Sequence, residues 1–146
     1  MIEHIWSVVC ERAIVNRDTN NVSMVEIVEE IGIPHELNEL MLEGKVGAIA
    51  VNLTIVSLWV RRDVPERGHG RVMVEGPSHE RPTGRSGVSA FAVDLWENAR
   101  MRTIGKIGVL PFRGVGEYRF LVQLQQEGRE MWEDVSSIPI LVREVG

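Results

Sequence analysis

A two-sheet antiparallel β-sandwich is the fold class that this 146-residue sequence predicts, on three observations. Tyr118, Phe120, Val122 and Leu124 alternate with Arg119, Gln123 and Gln125, and a period of two marks a strand with one buried face. Eight or nine short apolar segments of this kind recur along the chain, each bounded by Gly, Pro, Asn or Asp. No long amphipathic helix separates them, which disfavours a parallel α/β sheet.

The elements follow in order. Ile2 to Ala13 is predicted as a strand whose core face carries Trp6, Val8 and Cys10, opposite Glu3, Ser7 and Glu11 with Ile5 and Val9. Asn16 to Asn21 is a polar turn of residues that bond their own backbone. Val22 to Gly32 carries helical signals, a Ser23/Glu26 capping box and a closing Gly32. Its β-branched content and its position after a turn favour a strand instead. One short helix is expected near residues 34–43, with Pro34 in its first turn, Leu37, Leu40 and Met41 on one side and Gly44 as its stop.

Val46 to Arg62 is the longest strand candidate. Ile49, Val51, Leu53, Ile55 and Trp59 form one face, and Ala48, Ala50, Val56, Leu58 and Val60 the other, so a central strand is expected. Asp63 to Gly70 reads as a turn and Arg71 to Glu75 as a short strand. Gly76 to Gly87, without an apolar residue, reads as a loop. Strands at Val88 to Trp96 and Met101 to Leu110 come next, the second holding Gly105 and Gly108, which mark bulges or close backbone approaches. In the closing segment Glu127-Gly128 suits a tight hairpin, and Ile138, Ile140 and Val142 share one face of the last strand. Tyr118, two residues after Gly116, occupies the position of a tyrosine corner, a feature of immunoglobulin-like sandwiches. No internal repeat or linker interrupts the chain, so residues 1–146 are expected to form one domain.

Composition narrows the chemistry. Hydrophobic residues at 44% and charged residues at 25% are those of a globular chain, and a formal net charge of -5 argues against a general nucleic-acid partner. One cysteine excludes an internal disulfide framework and favours a reducing, cytoplasmic setting. No signal peptide or bilayer-spanning run is apparent, and no membrane association is expected.

No catalytic constellation emerges. His4, His35, His69 and His79 show no metal-ligand spacing, so neither a metal nor another cofactor is expected. Cys10 reads as an inert thiol among apolar neighbours, and the acidic runs at Glu26, Glu29 and Glu30 and at Glu127, Glu130, Glu133 and Asp134 read as solvated faces. Four tryptophans, Trp6, Trp59, Trp96 and Trp132, sit among apolar strand residues and are expected in the core or an interface. The one candidate binding patch is basic: Arg61, Arg62, Arg67, His69, Arg71, His79, Arg81 and Arg85, mostly in two loops that a sandwich could bring to the same end, where an anion could be met.

The segments IWSVVCERAIV, TNNVSMVEIVEEI and LPFRGVGEYRFLVQLQQEGREMW with IPILV resemble a family of small uncharacterised bacterial immunoglobulin-like β-sandwich proteins. The resemblance spans the first ~30 and last ~40 residues and implies the sandwich fold. It implies no activity and carries no catalytic residues. The expectation is a non-enzymatic interaction module for a protein partner or for self-association. Two alternatives stand beside it, a small-ligand protein or hydrolase with its site around residues 63–87, and nucleic-acid binding through the arginines.

Overall fold

The computed structural model describes residues 1–77 and 85–145. Its strands are β1 (Glu3–Val15), β2 (Val22–Ile27), β3 (Glu30–Pro34), β4 (Ala48–Val60), β5 (Glu66–Glu75), β6 (Arg85–Leu95), β7 (Arg100–Pro111), β8 (Gly116–Gln126) and β9 (Glu133–Val145), with one helix, α1 (His35–Leu42). One sheet has the order β2-β1-β4-β7 and the other β3-β9-β8-β5-β6. Setting β2 and β3 aside, the succession β1, β4, β5, β6, β7, β8, β9 divides between the sheets as the A, B, C, C′, E, F and G strands of an immunoglobulin domain do. The sheets are not wholly antiparallel, since β3 runs parallel to β9.

Apolar alternation on the inner faces builds the core. Tyr118, Phe120, Val122 and Leu124 of β8, Val72 and Val74 of β5, and Ile140 and Val142 of β9 face Val9, Leu53, Ile55, Trp59 and Ile107 of the other sheet. The tyrosine corner forms as expected: the Tyr118 hydroxyl donates to Gly114 O at 2.6 Å and accepts from Arg113 N at 2.8 Å. β4 is central, between β1 and β7, and both of its faces are buried, at Leu53, Ile55 and Trp59 inside and at Thr54, Val56 and Leu58 outside.

Several expectations are corrected. Val22 to Gly32 is extended, but as two strands in different sheets, with the chain crossing at Val28 and Glu29. In β1 the core face belongs to Val9 and not to Trp6, Val8 and Cys10. Val9 pairs with Ile55, whereas Val8 and Cys10 pair with Val56 and Thr54 on the outward face of β4. Periodicity assigns residues to two faces without saying which is inside, and a bulge at Ile5 shifts the phase. Cys10 is nevertheless buried, and burial raises its thiol pKa while Lys106 opposes the shift. The β8–β9 connection is wider than a two-residue hairpin, since the ladder closes at Leu124–Glu133, with Gly128 at φ 81°. β5 begins at Glu66, within the predicted turn, and Gly68 and Gly70 belong to it. A Cβ on Gly70 would stand 2.0 Å from the Phe91 ring, so this glycine makes room for an aromatic and is no turn signal.

The β1–β2 hairpin bends sharply. Arg102, on the outward face of β7 opposite Leu58, donates from Nη2 to Asn20 O in the hairpin's turn at 2.6 Å. A straight β1 would carry that turn roughly 30 Å from Trp6, which lies at the level of Leu58. The hairpin therefore curls back over the outer face of its own sheet, where Thr54, Val56 and Leu58 are buried.

Candidate functional site

The described residues of the predicted basic patch do not converge on one end of the sandwich. Arg61 and Arg62 lie beyond the end of β4, Arg67, His69 and Arg71 line the outward face of β5, and Arg85 opens β6 opposite Glu75. From Arg67 to Glu75 is roughly 25 Å along the strand. His79 and Arg81 lie outside the described residues. Each described arginine of this set has a partner. Arg61 Nε donates to Leu95 O, Arg62 pairs with Glu3 at 3.0 Å, and Arg67 pairs with Asp94 at 3.4 Å. Arg71 Nε donates to Gln123 Oε1 at 2.6 Å, and Arg85 stands 3.6 Å from both Glu75 and Asp134.

Two of these guanidiniums also cover tryptophans: Arg67 over Trp96 at 4.6 Å and Arg71 over Trp132 at 4.0 Å. Trp96 is half exposed and so lies outside the core, while Trp59 lies fully in the core and donates from Nε1 to Thr103 Oγ1. The row on β5 is thus a mutually braced surface in which Arg67 meets an acid and a ring and Arg71 an amide and a ring. Beside it, Arg67, Gly68, His69, Ala92, Asp94 and Glu127 line a cavity of only about 180 Å³. Among the described residues no three His, Cys, Asp or Glu side chains are grouped to hold a metal ion. No helix among the described residues is long and apolar enough to cross a membrane.

The larger feature lies on the opposite flank. Between β1 and β9, under the β2–β3 crossover, runs a groove of about 640 Å³, within the range of ligand sites. Its walls are mostly apolar, with Val9 and Ile27 on one side and Ile138 and Leu141 on the other, and Glu29 and Glu117 at its rim. It exists because both bordering strands end their pairing early. Among the described residues, β1 from Glu3 to Val8 is hydrogen-bonded only to β4, and β9 from Glu133 to Ile140 only to β8.

The two edges differ chemically. Leu141 N donates away from β8, to Glu29 O at 3.0 Å. Two residues earlier, Pro139 therefore presents its donorless nitrogen to the same open side, which blunts the β9 edge. On β1 the bond Val28 N to Val9 O shows that Val9 faces away from β4, and by the strand period so do the N–H and C=O of Ser7. The side chains agree: Ser7 Oγ and Ser57 Oγ stand 2.6 Å apart, as expected of a directly opposed pair that exchanges no backbone bonds. Ser7 thus offers the groove an open donor and acceptor on the unblocked edge.

Ser7 also belongs to a polar seam. His4 Nε2 lies 2.7 Å from Ser7 Oγ, and the imidazole packs edge-on against Trp59 with centroids 5.1 Å apart. Burial lowers the His4 pKa, opposed by a hydrogen bond to the Trp6 backbone, so the ring is neutral at pH 7. A serine within reach of a neutral histidine has the first two parts of a nucleophilic site. The described hydrogen bonds of His4 include no carboxylate to orient it as a base, and the chain His4–Ser7–Ser57 satisfies its own polar atoms beside the core.

Sequence reasoning missed the groove. Ser7 and Ser57 stand out as hydroxyls in apolar strands and Pro139 as a proline in a strand pattern, but their conjunction depends on the β1–β4 register and the β3–β9 pairing. No protein-family model matches the sequence, and no curated protein is significantly similar to it.

Proposed function

We propose that the chain is a non-enzymatic binding module that holds a protein partner in the groove between β1 and β9. The observation that carries this reading is an apolar cleft of about 640 Å³ bordered by strand edges that no element among the described residues covers. Such a cleft fits an interaction surface better than the paired arginines fit an anion site, because exposed apolar concavities rimmed by polar groups gain affinity from desolvation. The reading keeps the reducing, cytoplasmic setting expected from a single thiol.

Leu141→Arg tests it, since Leu141 lines the groove and is 40% exposed, so the change charges the cleft without opening the core. The wild-type chain, crosslinked in its native cell, is expected to yield a defined protein adduct at groove residues, which the variant loses while keeping its melting temperature. An adduct unchanged by Leu141→Arg, or a wild-type chain that stays monomeric and unadducted, sinks the reading.

A further inference from the structure

We infer that the occupant of this groove is an extended segment of a partner polypeptide that adds as a strand to the β1 edge at Ser7, with apolar residues at alternate positions and basic residues at its ends. The inference rests on the binding reading above and adds the geometry and chemistry of the partner.

The backbone supplies the first reason. Ser7 N–H and C=O point to the open side of β1, as the Val28–Val9 bond and the Ser7–Ser57 contact both require. An exposed strand edge of this kind is a template for a further strand. Pro139 removes the corresponding donor from the facing edge of β9, so added pairing is directed to β1.

The side chains supply the second. A strand laid along β1 directs every other residue to the inner side, where Val9 and Ile138, which pack with the core, form the apolar wall; Ile27 and Leu141 flank the cleft from the outward faces of their strands. Its remaining side chains point outward, which suits threonines or other polar residues. Charge supplies the third. The rim carries Glu29 and Glu117; Arg119 pairs with Glu117 at 3.5 Å, and among the described residues Glu29 has no ion-pair partner. A segment ending in arginine or lysine complements this rim, whereas an acidic one meets repulsion.

The probe is the peptide acetyl-Arg-Val-Thr-Ile-Thr-Val-Arg-amide, titrated into the full chain and followed by backbone amide NMR. Shifts centred on Ser7, Val9, Ile27 and Leu141 are expected. Ser7→Pro removes the open N–H without touching the β4 ladder, which Ser7 does not use. Ser7→Ala removes only the hydroxyl. Binding is expected to weaken at least tenfold in Ser7→Pro and to change little in Ser7→Ala.

Should Ser7→Pro fail to fold, the same peptide N-methylated at its central residues, added to wild-type protein, is expected to lose binding to the same degree. Peptide binding abolished by Leu141→Arg but indifferent to Ser7→Pro and to N-methylation overturns strand addition and leaves the groove reading standing. Absence of any shift at millimolar peptide, or shifts confined to a dimer interface between two copies of the chain, overturns strand addition by a partner segment.

Discussion

Replacing Tyr118 by phenylalanine removes one oxygen and with it two hydrogen bonds, from Arg113 N at 2.8 Å and to Gly114 O at 2.6 Å. Tyr118 is fully buried and Gly114 is buried beside it, so water cannot take the hydroxyl's place. Each bond contributes about 1 kcal/mol net, and the stranded Gly114 carbonyl adds desolvation cost, so the loss should be about 2–3 kcal/mol. In a domain of this size that lowers the melting temperature by roughly 5–10 °C. Urea denaturation with equal slopes for both proteins measures it. The pH dependence is a second test. Burial raises the Tyr118 pKa, opposed by the Arg113 backbone bond and charge, so the folded state prefers the neutral phenol. That contribution is complete below the unfolded value of about 10 and is lost as pH rises through the folded value. The gap between wild type and Tyr118→Phe should therefore narrow in strongly alkaline solution. A neutral-pH difference under about 0.5 kcal/mol would show that the corner is not holding the Phe112–Gly116 turn against β8.

Two further outcomes follow from charged contacts. Arg102→Ala deletes the bond that holds the hairpin tip at Asn20, and a hydrogen bond from a charged donor is worth about 1.5–3 kcal/mol. Local opening of the hairpin should then expose Cys10 at least tenfold more often, read as faster alkylation of this single thiol under native conditions; an unchanged rate would mean that the tip bond does not restrain the hairpin. His35 has its pKa raised chiefly by the hydrogen bond to Glu144, with Glu39 second. A raised folded value stabilises below the ordinary 6.5 and fades as pH climbs through the folded value, so docking of α1 on β9 should loosen towards alkaline pH. NMR titration should place His35 above 6.5 and show it falling in Glu144→Gln.

The parts of this fold legible in the sequence are those set by neighbours along the chain. Alternation in 118–124 delivered four residues to the core, and Gly116 with Tyr118 announced the corner before its hydrogen bonds were seen. The short helix at 35–42 followed from Pro34 and the apolar spacing. What stayed hidden depends on partners distant in sequence. Gly68 and Gly70 look like turn residues until Phe91, twenty-one positions on from Gly70, is found lying against the backbone that a side chain would otherwise occupy. Once Glu66 to Glu75 is a strand, Arg67, His69 and Arg71 fall on one face of it, and the arginines are drawn to Asp94, Gln123, Trp96 and Trp132 in place of a loop-end ligand.

The groove is hidden for a different reason, because it consists of hydrogen bonds that are not made. A strand edge is defined by which neighbour stops pairing, and β2 leaves β1 at Cys10 while β3 joins β9 only from Leu141. Both boundaries are set by one event, the crossing of the chain at Val28 and Glu29 from one sheet to the other. Val28 N and Glu29 O are the last bonds on either side of that crossing, one to Val9 and one to Leu141. The crossover therefore closes one end of the cleft and leaves the edges beyond it open. A chain in which β2 continued along β1 as far as Glu3 would have no cleft and no exposed Ser7 amide. Ile138, already packed against the core at the inner wall, would then be fully enclosed, so the residue that makes the groove adhesive marks where a strand is missing from the sandwich.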